Sequence, residues 1–419
     1  MSTPMISRPT DIDPERWPDI ANAPQAPVRA AVARRLLRRI AAGTPVGVQL
    51  PDGSVPVPAD PQWPMLEVRS DAFFHRLGAD LKIGLGEAYM AGDWEPRGDL
   101  ADVLTPYAER LLDIVPGWMR TFRRAIEPRH PRHERNDRHG ARSNISRHYD
   151  LSNDLFALFL DETMTYSAAL FDGQGASGGT DDLAAAQRRK VDRVLDLAGV
   201  GAGTRVLEIG TGWGQLALQA AQRGAIVHSV TLSQEQQALA LARIAAAGLQ
   251  EHVTIDLCDY RDVRGEYDAV VSVEMIEAVG AEFWPEYFAT IGRLLRPGGR
   301  FGLQAITMPH DRMLASRHAY SWIHKYIFPG GLIPSPEAIR EHALLDGGMR
   351  VLDEYGFGLD YARTLHHWRT RFVEQAAAVE RLGFDRTFRR MWAFYLAYSE
   401  AGFRSGHLDV RHYALERAA

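Results

Sequence analysis

The sequence predicts an α/β protein in which a doubly wound sheet with helical additions is joined to a smaller N-terminal α+β domain. Three observations carry that expectation. From about Ala184 apolar strands alternate regularly with helices. The first of those strands, TRVLEIG, runs straight into a glycine-rich turn. Residues 1–125 follow another pattern, with short β-like runs broken by Pro and Gly among helices. At 419 residues, 46% of them hydrophobic, the chain is long enough to bury two cores.

The first twenty-odd residues scatter Pro, Asp and polar side chains and predict a loose arm. From Val28 to Ala42 the spacing predicts a helix with Val32, Leu36, Leu37 and Ile40 on one face and Arg34, Arg35, Arg38 and Arg39 mostly on the other. The runs VGVQLPDGSVPVP and MLEVRS read as short strands, and FFHRLGADLKIGLGEAYMAGDW as helix and turn. Residues 126–147 are rich in Arg and His, hold Pro128 and Pro131 and lack apolar periodicity, which predicts a solvated basic linker. Residues 148–419 form the remaining domain. Its core reads as helix AAAQRRKVDRVLDLAG, strand TRVLEIG, helix GQLALQAAQRG, strand IVHSVTL, helix SQEQQALALARIAAAG, strands VTIDLCD and YDAVVSVEM, a helix near WPEYFATIGRLL, and strand RFGLQAIT. The last third is expected to be helical, with an Arg- and aromatic-rich run from Thr364 to Arg404.

Composition narrows the function. A net charge of -5 argues against a surface built to grip nucleic acid, and nearly all of the 48 basic residues are arginine. Cys258 is the one cysteine, so no intrachain disulfide can form, and no His/Cys/Asp/Glu spacing suggests a metal site. No window resembles a membrane span or a signal peptide, which leads to the expectation of a cytoplasmic protein.

The segment VLEIGTGWG places backbone at Gly210, Gly212 and Gly214 where a ligand can approach closely. Dehydrogenases use such turns for a diphosphate. Glu208 at the strand end and Trp213 in the turn suit a zwitterionic sulfonium better, and the Pro297–Gly299 turn lies between a helix and the next strand, where class I methyltransferases place one. The expected cofactor is therefore S-adenosylmethionine. Downstream, Thr231, Ser233 and Gln236 stand where most methyltransferases carry a ribose-binding acid, and Asp259 and Tyr260 fall beside the adenine by position, with a helix cap and a packed ring as their structural alternatives.

The TLSxEQ loop resembles that of cyclopropane-fatty-acid synthases, and HYDLSNDLFALFLDETMTYS, VEMIEAVG, WIHKYIFPGG and YLAYSEAGFR resemble further segments of that family. The likeness is nearest to an actinobacterial branch that makes the methylene precursor of tuberculostearic acid. It implies methyl transfer from S-adenosylmethionine to the double bond of an unsaturated phospholipid acyl chain. It also implies that Tyr149, Tyr166 and Ser167 meet the cofactor, and that Glu277 and Tyr361 match residues holding a bicarbonate base. Ala168 stands where those synthases usually have Cys, and Ala278 and Gln304 where many have His. The anion site is thus altered and bicarbonate binding is open. Catalytic candidates are Glu277, Tyr361, Gln304 and Tyr326.

A methyl cation adduct can close to a cyclopropane, or shift a hydride and leave a methylene; the resemblance favours methylene, with cyclopropane as the alternative. Tyr149, Tyr166, Trp322, Tyr326, Phe328, Tyr361, Trp368 and Tyr395 are candidates for a pocket that stabilises the cation, and ordinary core is their simpler role. Expected partners are a phospholipid acyl chain at the inner membrane surface, reached by peripheral docking, a separate reductase to saturate the methylene, and a second copy in a homodimer; no nucleic acid is expected. The rival readings are a small-molecule methyltransferase and a non-catalytic lipid-binding protein.

Overall fold

The computed structural model describes residues 12–110, 152–172, 182–317 and 319–419. The linker expected at 126–147 and Tyr149 lie outside the described residues. The chain divides into two compact units, one of Met1–Arg129, Tyr320–Ile327 and Phe372–His407, the other of His130–Ala319, Phe328–Arg371 and Leu408–Ala419. The expected division was continuous along the chain, whereas these units interleave. Helix faces explain the difference: the Arg386–Arg404 helix buries Phe388, Met391, Trp392, Phe394 and Tyr395, and packs on helices Leu81–Ala91 and Leu100–Glu109 of the N-terminal unit.

In that first unit, α1 (Pro27–Ala41) packs on α2 (Ala72–Ala79), and α2 on α3 (Leu81–Ala91), followed by α4 (Leu100–Glu109). Strands β1 (Gly47–Gln49), β2 (Met65–Val68) and β3 (Trp94–Arg97) form a sheet, parallel between β1 and β2 and antiparallel between β2 and β3. The buried face of α1 is Ala30, Ala33, Leu37 and Ala41, not the expected Val32, Leu36, Leu37 and Ile40. Small residues win there because the backbones close in: a Cβ on Gly78 of α2 would lie 2.6 Å from the Arg29 carbonyl carbon. Val28 and Val32 are left 78% and 63% exposed, each forgoing about 1.5 kcal/mol or more of burial. The expected loose arm is also corrected for its described part. Ile20 is buried, Arg76 donates to the carbonyls of Asp19 and Ile20, both at 2.6 Å, and the Trp17 indole donates to Asp385 at 2.8 Å.

The second unit is a seven-stranded sheet in the order β6-β5-β4-β7-β8-β10-β9. Its strands are β4 (Arg205–Ile209), β5 (Ile226–Thr231), β6 (Val253–Leu257), β7 (Tyr267–Val273), β8 (Leu295–Thr307), β9 (Met349–Gly356) and β10 (Asp409–Arg417). The first five are parallel, and β10 runs antiparallel to both β8 and β9. On one face α5 (Leu183–Leu197), α6 (Gln215–Gln222) and α7 (Gln234–Ala246) pack Val191, Val194, Leu216, Ala217 and Ile244 onto Val206, Val227 and Val271. On the other, α8 (Trp284–Leu294) and α9 (Pro336–Leu345) set Tyr287, Phe288, Ile291 and Ile339 against Leu207, Val270 and Leu303. Such coverage on both faces explains the near-continuous apolar strands. The Pro297–Gly299 turn sits inside β8 as a bulge, where the register jumps from Tyr267↔Leu295 to Ala269↔Arg300. Strands β9 and β10 correct the expectation of an all-helical last third. β9 is a charged edge strand carrying Arg350, Asp353 and Glu354, and its alternation is too weak to show in sequence. Helix α10 (Gly358–Glu374) follows β9, and α11 denotes Arg386–Arg404.

Candidate functional site

The turn after β4 is made of backbone. Gly210, Gly212 and Gly214 have φ of 95°, 52° and 84°, the left-handed region that L side chains avoid. A Cβ at Gly210 would meet Met275 Cγ at 2.7 Å and one at Gly214 would meet Ala240 Cβ at 2.9 Å, whereas Gly212 faces open space. The close approach expected for a ligand is thus available at Gly212, and the turn fits S-adenosylmethionine. Trp213 is buried, its indole N–H donating to Asn153 at 2.7 Å and its ring 4.9 Å from that of Phe156.

Glu208 is buried at the end of β4. It is 3% exposed and accepts the Ser229 hydroxyl at 2.6 Å. Burial pushes its pKa up, while Ser229 and the charge of Lys190 pull it back. Lys190, also buried, donates to Ser167 Oγ at 2.6 Å, and burial lowers its pKa against the charges of Glu274, Asp161 and Glu208. Thr231, Ser233 and Gln236 form a single capping network: Thr231 Oγ1 donates to Gln236 Oε1 at 3.0 Å, and Ser233 Oγ accepts the Gln236 N–H at the start of α7. Asp259 grips Arg261 at 2.6 and 2.9 Å, and Tyr260 packs edge-on to Tyr287. Asp259 also caps the Arg261 N–H, so a cap and a packed ring are among the roles these side chains take in the structure.

The second cluster forms past the carboxyl end of β7. Glu274 has φ of 52°, unusual for a residue with a side chain and costing on the order of 1 kcal/mol. Its Oε1 accepts the Ala168 N–H at 2.9 Å and Gln304 Nε2 at 2.7 Å, and its Oε2 accepts the Tyr361 hydroxyl at 2.8 Å. Gln304 is fully buried and also pairs with His412 Nε2 of β10 at 2.8 Å. Burial keeps His412 neutral, well below the ordinary histidine range. Glu277 stands apart. Its Oε1 accepts the Ile306 N–H, and its Oε2 is buried with no hydrogen-bond partner among the described residues. Burial, then the charge of Glu274, pushes the Glu277 carboxyl up to about 8. The structure therefore brings Tyr361 and Gln304 to Glu274 rather than to Glu277. Sequence reasoning missed Glu274, Lys190 and His412; the available signal was the pair of glutamates in SVEMIEAVG at a strand end.

A ring cluster adjoins this site. Tyr166 lies 5.1 Å from Phe156 and 5.2 Å from Trp368, and Trp368 lies 6.2 Å from Tyr361, edge to face. Tyr326 belongs to the N-terminal unit, where its hydroxyl donates to Glu87 at 2.8 Å, and Trp322 packs 4.8 Å from Phe394 there. Tyr395 lies in the same unit, 5.3 Å from Trp392. Among the described residues no group of three or more His, Cys, Asp or Glu could hold a metal ion, and no helix is long and apolar enough to cross a membrane.

Residues 136–413 match the family model of mycolic acid cyclopropane synthetase. The chain is 53% identical over 415 residues to the tuberculostearic acid methyltransferase UfaA1 of Mycobacterium tuberculosis, a match spanning 97% of this chain and 96% of that one. It is 33% identical over 353 residues to the cyclopropane-fatty-acyl-phospholipid synthase of Escherichia coli, spanning 82% and 86% of the two chains. Of solved structures, the cyclopropane synthase MmaA2 from Mycobacterium tuberculosis superimposes with a TM-score of 0.60 at 28% identity, over 66% of this chain and 98% of that one. The same figures hold for the mycolic acid cyclopropane synthase CmaA1 complexed with SAH and CTAB. The expected fold class and resemblance are borne out: the chain belongs to the mycolic acid cyclopropane synthetase family and is a methyltransferase of the class I fold that uses S-adenosylmethionine.

Proposed function

We propose that the enzyme transfers the methyl group of S-adenosylmethionine to the double bond of an oleoyl-type acyl chain in a membrane phospholipid, and releases a methylene-branched chain. One observation carries the reading: Tyr361 belongs both to the ring cluster with Trp368 and to the carboxylate cluster with Glu274. A wall that tolerates positive charge and a group that can accept a proton thus meet at one residue. The bound donor supplies an electrophilic methyl on a positively charged sulfur. The chain supplies the rest. Its glycine turn admits the donor at Gly212, ring faces flank the reacting carbons, and apolar walls keep water from a cation that water would quench. Likeness to UfaA1, a relative named as a tuberculostearic acid methyltransferase, supports the methylene outcome. A separate reductase then saturates the methylene.

The acyl substrate sits in a bilayer, and α1 offers a means of reaching it. Val28 and Val32 are exposed beside Arg29, Arg35, Arg38 and Arg39, an apolar and basic face suited to anionic lipid. Mass spectrometry of phospholipids from a host expressing the chain tests the reading. Methylene-branched acyl chains support it, cyclopropane chains redirect the product assignment, and unmodified oleoyl chains overturn it.

A further inference from the structure

The hydrogen-bond donors that reach Glu274 and Glu277 are already committed to protein. The Ala168 N–H and the Tyr361 hydroxyl point to Glu274. Gln304 Nε2 has two hydrogens, one directed to Glu274 at 2.7 Å and the other to the Ala168 carbonyl at 3.4 Å. The Ile306 N–H is taken by Glu277. A small anion entering here would find no free donor among these groups, and would face two carboxyl side chains. From this geometry we infer that Glu274 is itself the base of the reaction, a carboxylate built into the chain where an exogenous anion would otherwise be recruited.

The inference rests on the methyl-transfer reading above and deepens it. Glu274 is suited to the task in three ways. It is half-buried, not sealed in the core. Its Oε1 is saturated by two donors, but Oε2 has a single one, which leaves a lone pair. Burial raises its pKa, and its three donors and the charge of Lys190 oppose that rise, whereas burial and the charge of Glu274 push Glu277 up to about 8. The electron balance closes without a co-reactant. The methyl carbon leaves sulfur and bonds to one alkene carbon, and a hydride moves with its electron pair to the cationic neighbour. A methyl C–H bond then breaks, its electrons become the exocyclic double bond, and the proton goes to Glu274 Oε2.

The test uses the full chain, oleoyl-phospholipid vesicles, and buffer stripped of carbon dioxide. Wild type is expected to turn over within twofold of its rate after bicarbonate is added back. Glu274→Gln is expected to lose about 10²-fold in turnover with cofactor affinity by calorimetry within about threefold, the scale of a lost general base. Glu274→Ala is expected to regain at least fivefold with added formate, which a merely structural role would not produce. Tenfold stimulation of wild type by bicarbonate, or near-normal turnover in Glu274→Gln, overturns the inference and leaves the methyl-transfer reading standing. A wild type that methylates no acyl chain with or without bicarbonate overturns both.

Discussion

Two parallel strands of the same sheet, β4 and β7, build their halves of the site from different materials at their carboxyl ends. After β4 the chain offers backbone: three left-handed glycines, one of them open, with Glu208 and Trp213 turned into the protein. After β7 it offers side chains, a strained Glu274 gripped by three donors and a Glu277 with one oxygen unpaired. The first arrangement depends on space and φ, so damage there should fall on cofactor binding. The second depends on charge and protons, so damage should fall on turnover and on the response to pH.

The comparison breaks most visibly at Gly212. A branched side chain at φ 52° is strained whatever the space around it, so Gly212→Val is expected to weaken cofactor binding by about 10²-fold or more. Calorimetry with S-adenosylmethionine measures this, and undiminished affinity would place the cofactor elsewhere. Tyr361→Phe removes one donor to Glu274 while keeping the ring, and is expected to slow turnover about tenfold with cofactor affinity nearly constant. If affinity fell instead, the division between binding end and chemical end would fail.

A third variant reads the same division in stability. The Glu277 carboxyl titrates near 4.5 when unfolded and near 8 when folded. Below pH 4.5 both states hold the proton. Between 4.5 and 8 only the folded state does, and stability drains away as pH rises. Glu277→Gln has no titrating proton there, so it is expected to gain several kcal/mol over wild type by pH 9 and about 1 kcal/mol or less at pH 5. Parallel melting curves across that range would remove Glu277 from the account. The smallest effect is expected farthest from the chemistry. Val28→Ser with Val32→Ser should weaken binding to anionic vesicles by only about threefold, because two partly inserted valines contribute less than the arginines beside them.

The glycine turn was legible because each of its requirements is local, a strand, a φ and a helix start within nine consecutive residues from Val206 to Gly214. Glu274 was not, because its role is conferred by groups 106, 30 and 87 positions away in the chain. Nothing in SVEMIEAVG distinguishes the glutamate that collects those donors from the one that does not. The loop from Thr231 to Gln236 shows the opposite limit. Its residue pattern marked the family, and the structure adds that its side chains cap a helix. On α1 the periodicity was right but the buried face was offset, since approach at Gly78 selects alanines over larger apolar residues.

The antiparallel strand β10 has a bearing on how the molecule is made. It enters the sheet between β8 and β9, and its His412 steadies Gln304 from behind. A ribosome will have released β4 to β8 and the glycine turn well before Val410 to Leu415 emerge, so the nascent sheet must wait with the flank of β8 unpaired. Translation that stops short of residue 412 would leave Gln304 without its His412 contact. Such a product is a natural substrate for chaperones and proteases.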